Sequence, residues 1–563
     1  MSYMKSPVPI PKNAIIVKVS GKKYVYCVDE KVYKKDKKYN SDKRKCVGKV
    51  IENTNTMYPN EHFQTHYPDE YNSMPEVHLE SDKMIHSDCL KLGFTGVFFE
   101  LADKLRIKSM LTRYFGSEEY NNIETANMIL NYAAKVVATQ NGTISSYPFF
   151  ARDNVMLGGK IASESTLCNI FKSIKKSQIQ AFTKDWINFN KDKSGVLLSC
   201  DGSNVATEST DIEIAEIGHN KNGEEENQVA FTLVTNQNNY RPLMLEEYKG
   251  STHDANALSP IMKLLKEYGV NNITYILDRG YFSEKIMRKI LHENNNFLMM
   301  TKNCKFIRDI YDRCYDQILS YENFDSELEM HYFTYVGKLF KSYDKSVYFH
   351  MFYNPESRQK QEKLLKTIIS QNSKELNKLI DYKLTEEEIE KYSNKFDLVF
   401  ENDKLVTFKL NNEYIERELK YSGFFTILTS NITHPSEAYT KYRNRDYTEK
   451  LFAMLKTNEE LEVLRSHDEE HLIGKVFSLF IGLIIRNEIF IKTKELRKNS
   501  KDKSAYTTTQ CLRELSCIEV IKLPTKKYQN IRAYTKKQNN IIKALGMTLK
   551  DVEKPLKMLN KNF

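Results

Sequence analysis

The sequence is poor in the features that mark several classes of protein. Its nine cysteines form no Cys-x-x-Cys pair and have no histidine at zinc spacing, which predicts reduced thiols in a cytosolic protein. The longest apolar run, Val476–Ile485, has ten residues, about half of what a membrane-spanning helix needs. Residues 1–12 hold three prolines and no apolar core, unlike a secretory leader. We therefore expect a protein that is neither secreted nor membrane-spanning.

The length and composition are those of a folded chain with several domains. The chain has 563 residues, of which 40% are hydrophobic, and only 20 are glycine. These values exclude a small disulfide scaffold, a collagen-like fibre and a wholly disordered tail.

The net charge of +10 is unevenly distributed along the chain. Residues 1–50 hold fourteen Lys and Arg against four Asp and Glu, and residues 486–563 hold nineteen against seven, so residues 51–485 carry −12. The basic segment Lys31–Lys49 is typical of a solvated charged hairpin, and an arm that contacts nucleic-acid phosphates stays open as the alternative. For the C-terminal region, packing or dimerisation and direct DNA contact are both open.

Hydrophobic periodicity divides the chain into regions with different predicted secondary structure. Short strands at Ala14–Val19 and Lys23–Val28 open the chain, helical periodicity follows, and strands alternate with helices from Ser194 onward. The charged stretch Glu356–Tyr392 interrupts this alternation, which resumes with a strand at Gly423–Thr429. The predicted regions are a basic β-hairpin region (1–60), a helical DNA-binding domain (61–193), a core in two parts (194–307 and 423–500), an insertion domain (308–422) and a basic C-terminal region (501–563).

Two predicted strands are each followed directly by an aspartate. Gly195–Cys200 precedes Asp201, and Asn272–Leu277 precedes Asp278. Ligands of open α/β sheets bind at the carboxyl ends of strands, so both side chains are candidates for one site. An aspartate at a strand end also commonly caps the next helix or starts a turn, and that structural reading stays open for each residue alone.

A third element carries polar residues at helical spacing. Tyr442, Arg445, Glu449 and Lys456 follow one another at intervals of three, four and seven, which places them on one face of a single helix. The opposite face offers apolar residues for packing: Leu451, Phe452 and Leu455. A surface ladder of ion pairs would give the same pattern.

The order Tyr-x2-Arg-x3-Glu-x6-Lys resembles the signature of the IS4-type DDE transposases. Ile276–Ser283 resembles the strand of their second aspartate, and Leu197–Asp201 resembles that of the first. Three further segments look most like the IS1634 branch: Gly21–Tyr26, Lys43–Lys49 and Val347–Asn354.

The resemblance implies an α/β fold with an RNase H-like catalytic core, a mixed sheet with helices, interrupted by an insertion domain. It also implies an N-terminal β and helical DNA-binding region and a helical C-terminus. Asp201, Asp278 and Glu449 match the catalytic acids of the family, which hold Mg²⁺ or Mn²⁺ as two ions. Hard divalent ions take carboxylate oxygens, so the residue types suit this role.

Tyr442, Arg445 and Lys456 match the family residues that contact DNA phosphates. The implied partners are double-stranded DNA, as terminal inverted repeats and target, and a second copy of the chain in a synaptic dimer. The expected location is the cytoplasm, at the nucleoid of a bacterium or archaeon.

The resemblance predicts metal-dependent cleavage at the ends of an insertion sequence and strand transfer into target DNA. Two alternatives stay open. One is a catalytically inactive, transposase-derived DNA-binding protein, and the other is an RNase H-fold nuclease without strand transfer.

Overall fold

A computed structural model describes most of the chain and divides it into two compact units. The described residues are 7–19, 21–34, 39–72, 89–159, 161–190, 195–219, 225–252, 254–339, 345–456, 466, 468–523, 527–530 and 532–560. One unit comprises residues 1–89 with 520–531, and the other comprises residues 90–519 with 532–563. All nine cysteines lie within the described residues and are free thiols.

The smaller unit contains a five-stranded antiparallel sheet. Its strands lie in the spatial order Val8–Pro9, Thr56–Pro59, Tyr39–Val50, Lys22–Lys34 and Ile15–Val19. The two N-terminal strands predicted from the sequence are thus confirmed, and their pairing matches Ile15 with Tyr26. Two short helices follow, Glu61–His66 and Pro68–Asn72. Phe63 from the first helix packs on Val25, Val47 and Met57 in a small core.

The larger unit begins with a helical block. After the short strand Cys89–Lys91, whose first residue belongs to the smaller unit, come the 3-10 turn Ile144–Ser146 and the helices Gly93–Lys104, Ile107–Tyr114, Asn122–Thr139, Tyr147–Asp153, Glu164–Ser173 and Lys176–Asn190. The helices Glu164–Ser173 and Lys176–Asn190 are separate because the chain turns at Ile174 and Lys175.

The long helix Glu469–Lys492 contains the apolar run noted in the sequence and lies in the core of this block. It packs on Asn122–Thr139 and Glu164–Ser173. Gly474 permits the closest approach, since a Cβ there would collide with the Phe171 backbone. Among the described residues, no helix is both long and apolar enough to cross a membrane.

A mixed ten-stranded sheet forms the centre of the larger unit. Nine strands lie in the order Arg241–Lys249, Glu225–Asn236, Val196–Ala206, Ile273–Leu277, Asn296–Met300, Phe424–Thr429, Ser346–Tyr353, Met330–Lys338 and Phe324–Asp325, and Glu216–His219 pairs with the second of them. Ile273–Leu277 is parallel to both of its neighbours, whereas the other pairs are antiparallel. The predicted α/β class with a mixed sheet is therefore confirmed.

Helices cover this sheet on both faces. The helical block packs on Phe231 and Leu233 of one face. The other face packs on the helices Asp254–Glu267, Glu284–His292 and Lys305–Leu319. Neither the strand Arg241–Lys249 nor the helix Lys305–Leu319 was expected from the sequence.

The segment predicted as an insertion contributes to the main sheet before it departs from it. Ser346–Tyr353 pairs with Phe424–Thr429, and Met330–Lys338 pairs with Ser346–Tyr353. The chain then forms the helices Pro355–Lys378, Glu386–Ser393 and Asn412–Lys420 and the hairpin of Phe396–Glu401 with Lys404–Leu410. Leu376, Tyr392, Phe396 and Leu405 share a separate small core. The domain boundaries themselves stay a prediction.

The remaining elements are mostly helical. They are Pro435–Arg443, Asp446–Lys456, Lys494–Asn499, Thr508–Ser516, Lys536–Ala544, Leu549–Val552 and Lys554–Leu559, the 3-10 turns Arg279–Tyr281, Tyr321–Asn323 and Lys503–Tyr506, and the paired strands Glu519–Lys522 and Tyr528–Asn530.

Candidate active site

Asp201 lies within a strand and not at its end, which corrects the prediction. The strand Val196–Ala206 continues past Asp201 because its antiparallel pairing with Glu225–Asn236 extends to Ala206. This strand also runs parallel to Ile273–Leu277, and the last registered pair is Ser199 with Ile276. Asp201 and Asp278 each lie two residues beyond this pair, so the two aspartates come from neighbouring segments of the sheet.

Asp278 follows its strand directly, as predicted, and it also has the capping role that the sequence left open. Its Oδ1 accepts a hydrogen bond of 2.6 Å from the backbone N–H of Arg279, at the start of a 3-10 turn. The side chain is 48% exposed, so capping leaves it accessible to a ligand.

The predicted single helix through Tyr442 and Lys456 is wrong. It is two helices, Pro435–Arg443 and Asp446–Lys456, separated by a turn at Asn444 and Arg445. The break arises from tight i to i+3 bonding, because the N–H of Arg445 donates to the Tyr442 carbonyl and the N–H of Thr448 donates to the Arg445 carbonyl. Arg445 thereby leaves the helix and reaches the two strands.

The guanidinium of Arg445 contacts all three acids singled out from the sequence. Its nitrogens lie 3.5 Å from Asp201 Oδ1, 3.6 Å from Asp278 Oδ1 and 2.5 Å from Glu449 Oε1. Arg445 is 9% exposed, whereas the side chains of Asp278 and Glu449 are about half exposed. Three carboxylates from three separate elements therefore converge on one buried cation.

Electrostatics keeps this cation charged despite its burial. Burial alone would lower the pKa of Arg445, but the neighbouring acids, Asp278 first, raise it above its ordinary value. The Nε and Nη1 atoms of Arg445 are buried and have no hydrogen-bond partner among the described residues, although Nη1 lies within ion-pair distance of Asp201.

Tyr442 borders the same cluster. Its hydroxyl donates to Asp278 Oδ1 at 3.4 Å, and its ring lies 5.7 Å from the guanidinium carbon of Arg445. Burial raises the pKa of Tyr442 to about 12, so the phenol stays protonated and remains a donor at neutral pH. The turn thus brings Tyr442, Arg445 and Glu449 together, as predicted, although not on one helical face.

Two contacts that carry no sequence motif hold the Glu449 helix, Asp446–Lys456, in place. Gln237 Nε2 donates to the buried Thr448 hydroxyl at 3.0 Å, and the Tyr447 hydroxyl donates to Asn487. The predicted apolar face is confirmed, since Leu451, Phe452 and Leu455 are buried in the core. Sequence reasoning missed Gln237 and Asn487 because each lies far from Glu449 along the chain.

Comparison with known families agrees with this arrangement. The family described as transposase DDE domain matches residues 193–485, a little over half of the chain, and this span contains all three acids and Arg445. The chain belongs to the DDE transposase family. The DDE transposase family predicted from the sequence is therefore confirmed, whereas the IS4-type and IS1634 assignments stay predictions.

Other comparisons add little to the identification of this transposase. A solved structure, described as a cryo-EM structure of the piggyBac transposase synaptic complex with hairpin DNA, is similar over 75% of this chain and 76% of that chain, with 9% identity and a TM-score of 0.36. A similarity with so low a TM-score supports no conclusion about this chain. No curated protein matches the sequence.

The three carboxylates of the transposase site have the ligand chemistry that a divalent ion requires. Carboxylate oxygens are the ligands of hard cations, and this cluster already surrounds a cationic group. Within the described ranges, however, no three His, Cys, Asp or Glu residues lie close enough together to hold one ion directly. The guanidinium lies among the three acids, so a shared ion requires Arg445 to move aside.

Lys456 is the one signature residue whose place in the transposase site is not established. It is the last residue of the Glu449 helix, but its side chain lies outside the described residues.

Proposed function

We propose that this transposase cleaves DNA at the ends of an insertion sequence and joins the freed 3′-hydroxyl groups to target DNA by in-line phosphodiester displacement. Asp201, Asp278 and Glu449 are the proposed catalytic residues. The observation that carries the proposal is the contact of one guanidinium with all three carboxylates, because three distant parts of the chain place their acids at one point.

The same three acids would hold Mg²⁺ or Mn²⁺, as two ions. Bound there, divalent ions would activate the attacking hydroxyl and stabilise the leaving oxygen. The protein's own contribution is to fix the carboxylates on two paired strands and an anchored helix. These contacts would keep the carboxylates near one another while Arg445 moves aside for the ions.

Tyr442, Arg445 and Lys456 would contact the phosphates next to the cleaved bond. Support comes from Tyr442, a protonated donor, and from Arg445, a charged guanidinium whose Nε and Nη1 atoms make no hydrogen bond among the described residues. A planar guanidinium can bind a phosphate through two parallel hydrogen bonds. Arg445 would in this way exchange acid contacts for phosphate contacts when DNA binds.

The finer assignments are part of the same proposal. The fold would be an RNase H-like core with an insertion, and the chain would belong to the IS4-type transposases, most like the IS1634 branch. It would bind double-stranded DNA as a homodimer in a synaptic complex, in the cytoplasm at the nucleoid. The acids on adjacent strands of a mixed sheet support the core assignment.

The test uses a plasmid that carries the gene with its native flanking DNA. We expect purified protein to cleave at the element ends with Mg²⁺ or Mn²⁺, and Asp278→Asn to lower cleavage at least about 100-fold while DNA affinity stays within a few-fold. Asp309→Asn is the matched control, because Asp309 is an exposed aspartate outside the cluster.

Undiminished cleavage by Asp278→Asn would refute the assignment of the acids. Cleavage without joined products would identify a nuclease without strand transfer. Specific DNA binding by the wild type without any cleavage would identify an inactive, transposase-derived binding protein.

A further inference from the structure

Three buried polar side chains lie on the face of the sheet that carries Asp201. Ser199 alternates with Asp201 along one strand, so both side chains point to the same face. Thr235 is the registered partner of Ser199 on the antiparallel neighbour, which places their side chains next to each other. Gln237 follows that neighbouring strand, and its backbone N–H donates to the Leu197 carbonyl at 2.8 Å. Ser199, Thr235 and Gln237 together are termed the acceptor site.

Each member of the acceptor site has a buried oxygen without a protein partner. Ser199 Oγ, Thr235 Oγ1 and Gln237 Oε1 make no hydrogen bond among the described residues. Ser199 and Thr235 are fully buried, and Gln237 is 5% exposed. Buried oxygens are nearly always hydrogen-bonded in folded proteins, so these three need either ordered water or a donor that arrives in another state of the protein.

The turn that carries Arg445 lies over the acceptor site. Gln237 Nε2 donates to the hydroxyl of Thr448, which is three residues beyond Arg445. The Glu449 helix packs on both strands that contribute to the site. Arg445 itself reaches Asp201, whose Oδ1 lies 3.5 Å from Nη1. The guanidinium and the acceptor site therefore share one buried layer between this helix and the sheet.

Arg445 has donors that match these acceptors. Its Nε and Nη1 atoms are buried and make no hydrogen bond among the described residues. Asp201 and Ser199 are roughly 6.6 Å apart along their strand, a shift that a new rotamer of a long side chain can cover. An arginine displaced from the acids needs other acceptors, because a buried cation without them is strongly destabilising. The acceptor site offers uncharged oxygens for this purpose.

We propose that the acceptor site holds the Arg445 guanidinium when divalent ions occupy the three acids and no DNA phosphate is bound. Ser199, Thr235 and Gln237 are then positioning residues, since they affect the ions only through Arg445. The acids and the acceptor site compete for the same cation, so the acceptor oxygens lower the cost of releasing the acids. The inference rests on the proposed role of the three acids as metal ligands.

The test measures Mn²⁺ binding to DNA-free protein by isothermal titration calorimetry. The double variant Ser199→Ala with Thr235→Val removes two acceptors with little change in shape, and it leaves Gln237 in place to anchor Thr448. Thr232→Val is the control, because Thr232 is buried on the same strand as Thr235 but on its opposite face. Equal unfolding temperatures establish that the variants are folded.

We expect the double variant to raise the Kd for Mn²⁺ about tenfold, because hydrogen bonds to a charged group are among the stronger ones. Thr232→Val should leave this Kd within about twofold. In an Arg445→Met background the double variant should also change Kd by less than about twofold, because no guanidinium then needs the acceptor site. A purely structural role of the two hydroxyl groups would weaken Mn²⁺ binding equally in both backgrounds.

An unchanged Kd in the double variant would overturn the proposal and would show that ordered water serves these oxygens in every state. Equal weakening in the wild-type and Arg445→Met backgrounds would overturn it as well. Mn²⁺ binding that persists in Asp278→Asn would refute the acid site itself, and the acceptor site with it. If binding needs Asp278 but not the two hydroxyl groups, the acid site stands and the acceptor site fails.

A crystal structure of the protein soaked in MnCl₂ gives a second readout that needs no variant. We expect anomalous density for Mn²⁺ at the three acids, with the Arg445 guanidinium within hydrogen-bonding distance of Ser199 Oγ or Thr235 Oγ1. Mn²⁺ at the acids with the guanidinium turned towards solvent, or still on the acids, would contradict the proposal.

Discussion

At the residue scale, Arg445 is a buried cation whose ion-pair partners are all candidate catalytic acids. Removing one side of a buried ion pair costs about 3–5 kcal/mol, because the remaining charge stays buried without compensation. Two of the three acids are about half exposed, so water screens part of that cost here. Arg445 therefore has a structural role in addition to the proposed role in phosphate binding.

We predict that Arg445→Met lowers the free energy of unfolding by about 1–3 kcal/mol, because three carboxylates then face one another without the guanidinium. The same change should make Mn²⁺ raise the unfolding temperature more than it does in the wild type, since the acids lose their internal cation. Calorimetry with and without MnCl₂ measures both effects. Arg288→Met, which breaks an exposed pair with Glu284, is the control and should cost little. An equal Mn²⁺ effect in Arg445→Met and wild type would contradict the prediction.

Glu246 is a second residue with a marked electrostatic effect. It is buried on the strand Arg241–Lys249, and burial, with the charge of Glu247, raises its pKa to about 7, although Lys176 opposes the shift. Between about pH 4.5 and pH 7 the unfolded state loses this proton while the folded state keeps it. Stability must therefore fall as pH rises through that window and then stay constant with respect to this group.

We predict that Glu246→Gln is more stable than the wild type at pH 8, by up to about 3 kcal/mol, and that the difference disappears near pH 4.5. Urea denaturation of both proteins at pH 5 and pH 8 measures the change. Glu213→Gln is an exposed control that should show no such pH dependence. A gain of equal size at both pH values would show that packing, and not the carboxyl charge, causes it.

At the scale of elements, the position of Glu449 depends on how its helix is anchored. The hydrogen bond from Gln237 to Thr448 is buried and joins residues 211 positions apart. It connects the Glu449 helix to the end of the strand Glu225–Asn236, which pairs with the strand of Asp201. This hydrogen bond thus links the helix of Glu449 to the sheet that positions Asp201 and Asp278.

We predict that Thr448→Val lowers the free energy of unfolding by about 1–3 kcal/mol, because it leaves the amide of Gln237 buried without its acceptor. It should also reduce cleavage, since small displacements of a catalytic group are costly. The double variant Thr448→Val with Gln237→Leu should be less destabilised than the sum of the single variants, because both partners are then apolar. Urea denaturation of all four proteins tests this, and strict additivity would refute the coupling.

The acids of the site could be predicted from the sequence more easily than their geometry. Asp278 follows a short apolar run bounded by polar residues, so local pattern was enough to place it at a strand end. Asp201 is followed by Gly202 and Ser203, which resemble a turn, yet pairing with a distant strand continues the extended chain to Ala206. The break at Arg445 has the same origin, since contacts with acids far along the chain compete with helical periodicity.

At the scale of the whole molecule, the acidic and basic regions of the sequence correspond to different sheets of the structure. The acidic middle region contains the sheet and its three candidate catalytic acids, and the basic N-terminal region forms a separate antiparallel sheet. The family resemblance implied a mixed sheet, and sequence periodicity predicted the α/β class and the N-terminal strands. It could not predict a ten-stranded sheet, because strands such as Arg241–Lys249 owe their place to pairing partners elsewhere in the chain.

The long N-terminal hairpin is where the two open interpretations of the basic region can be separated. Lys43 lies 3.6 Å from Glu30 and Arg44 lies 3.9 Å from Asp42, so those cations are partly compensated. Lys22, Lys23 and Lys45 are also exposed on the paired strands and are the better candidates for phosphate contacts. A hairpin that binds phosphates releases counterions from DNA, whereas a merely solvated hairpin does not.

We predict that replacing Lys22, Lys23 and Lys45 together by alanine weakens binding to double-stranded DNA and reduces the slope of log K against log salt by up to about 2.7, or about 0.9 for each DNA phosphate that is no longer neutralised. All three side chains are exposed, so the unfolding temperature should change little. Filter binding at several salt concentrations measures the slope. A control variant that loses the same number of positive charges has alanine in place of Lys494, Lys498 and Lys501 of the C-terminal region. If the hairpin variant keeps the wild-type slope while the control has a shallower one, the hairpin is only solvated and DNA contact belongs to the other basic end.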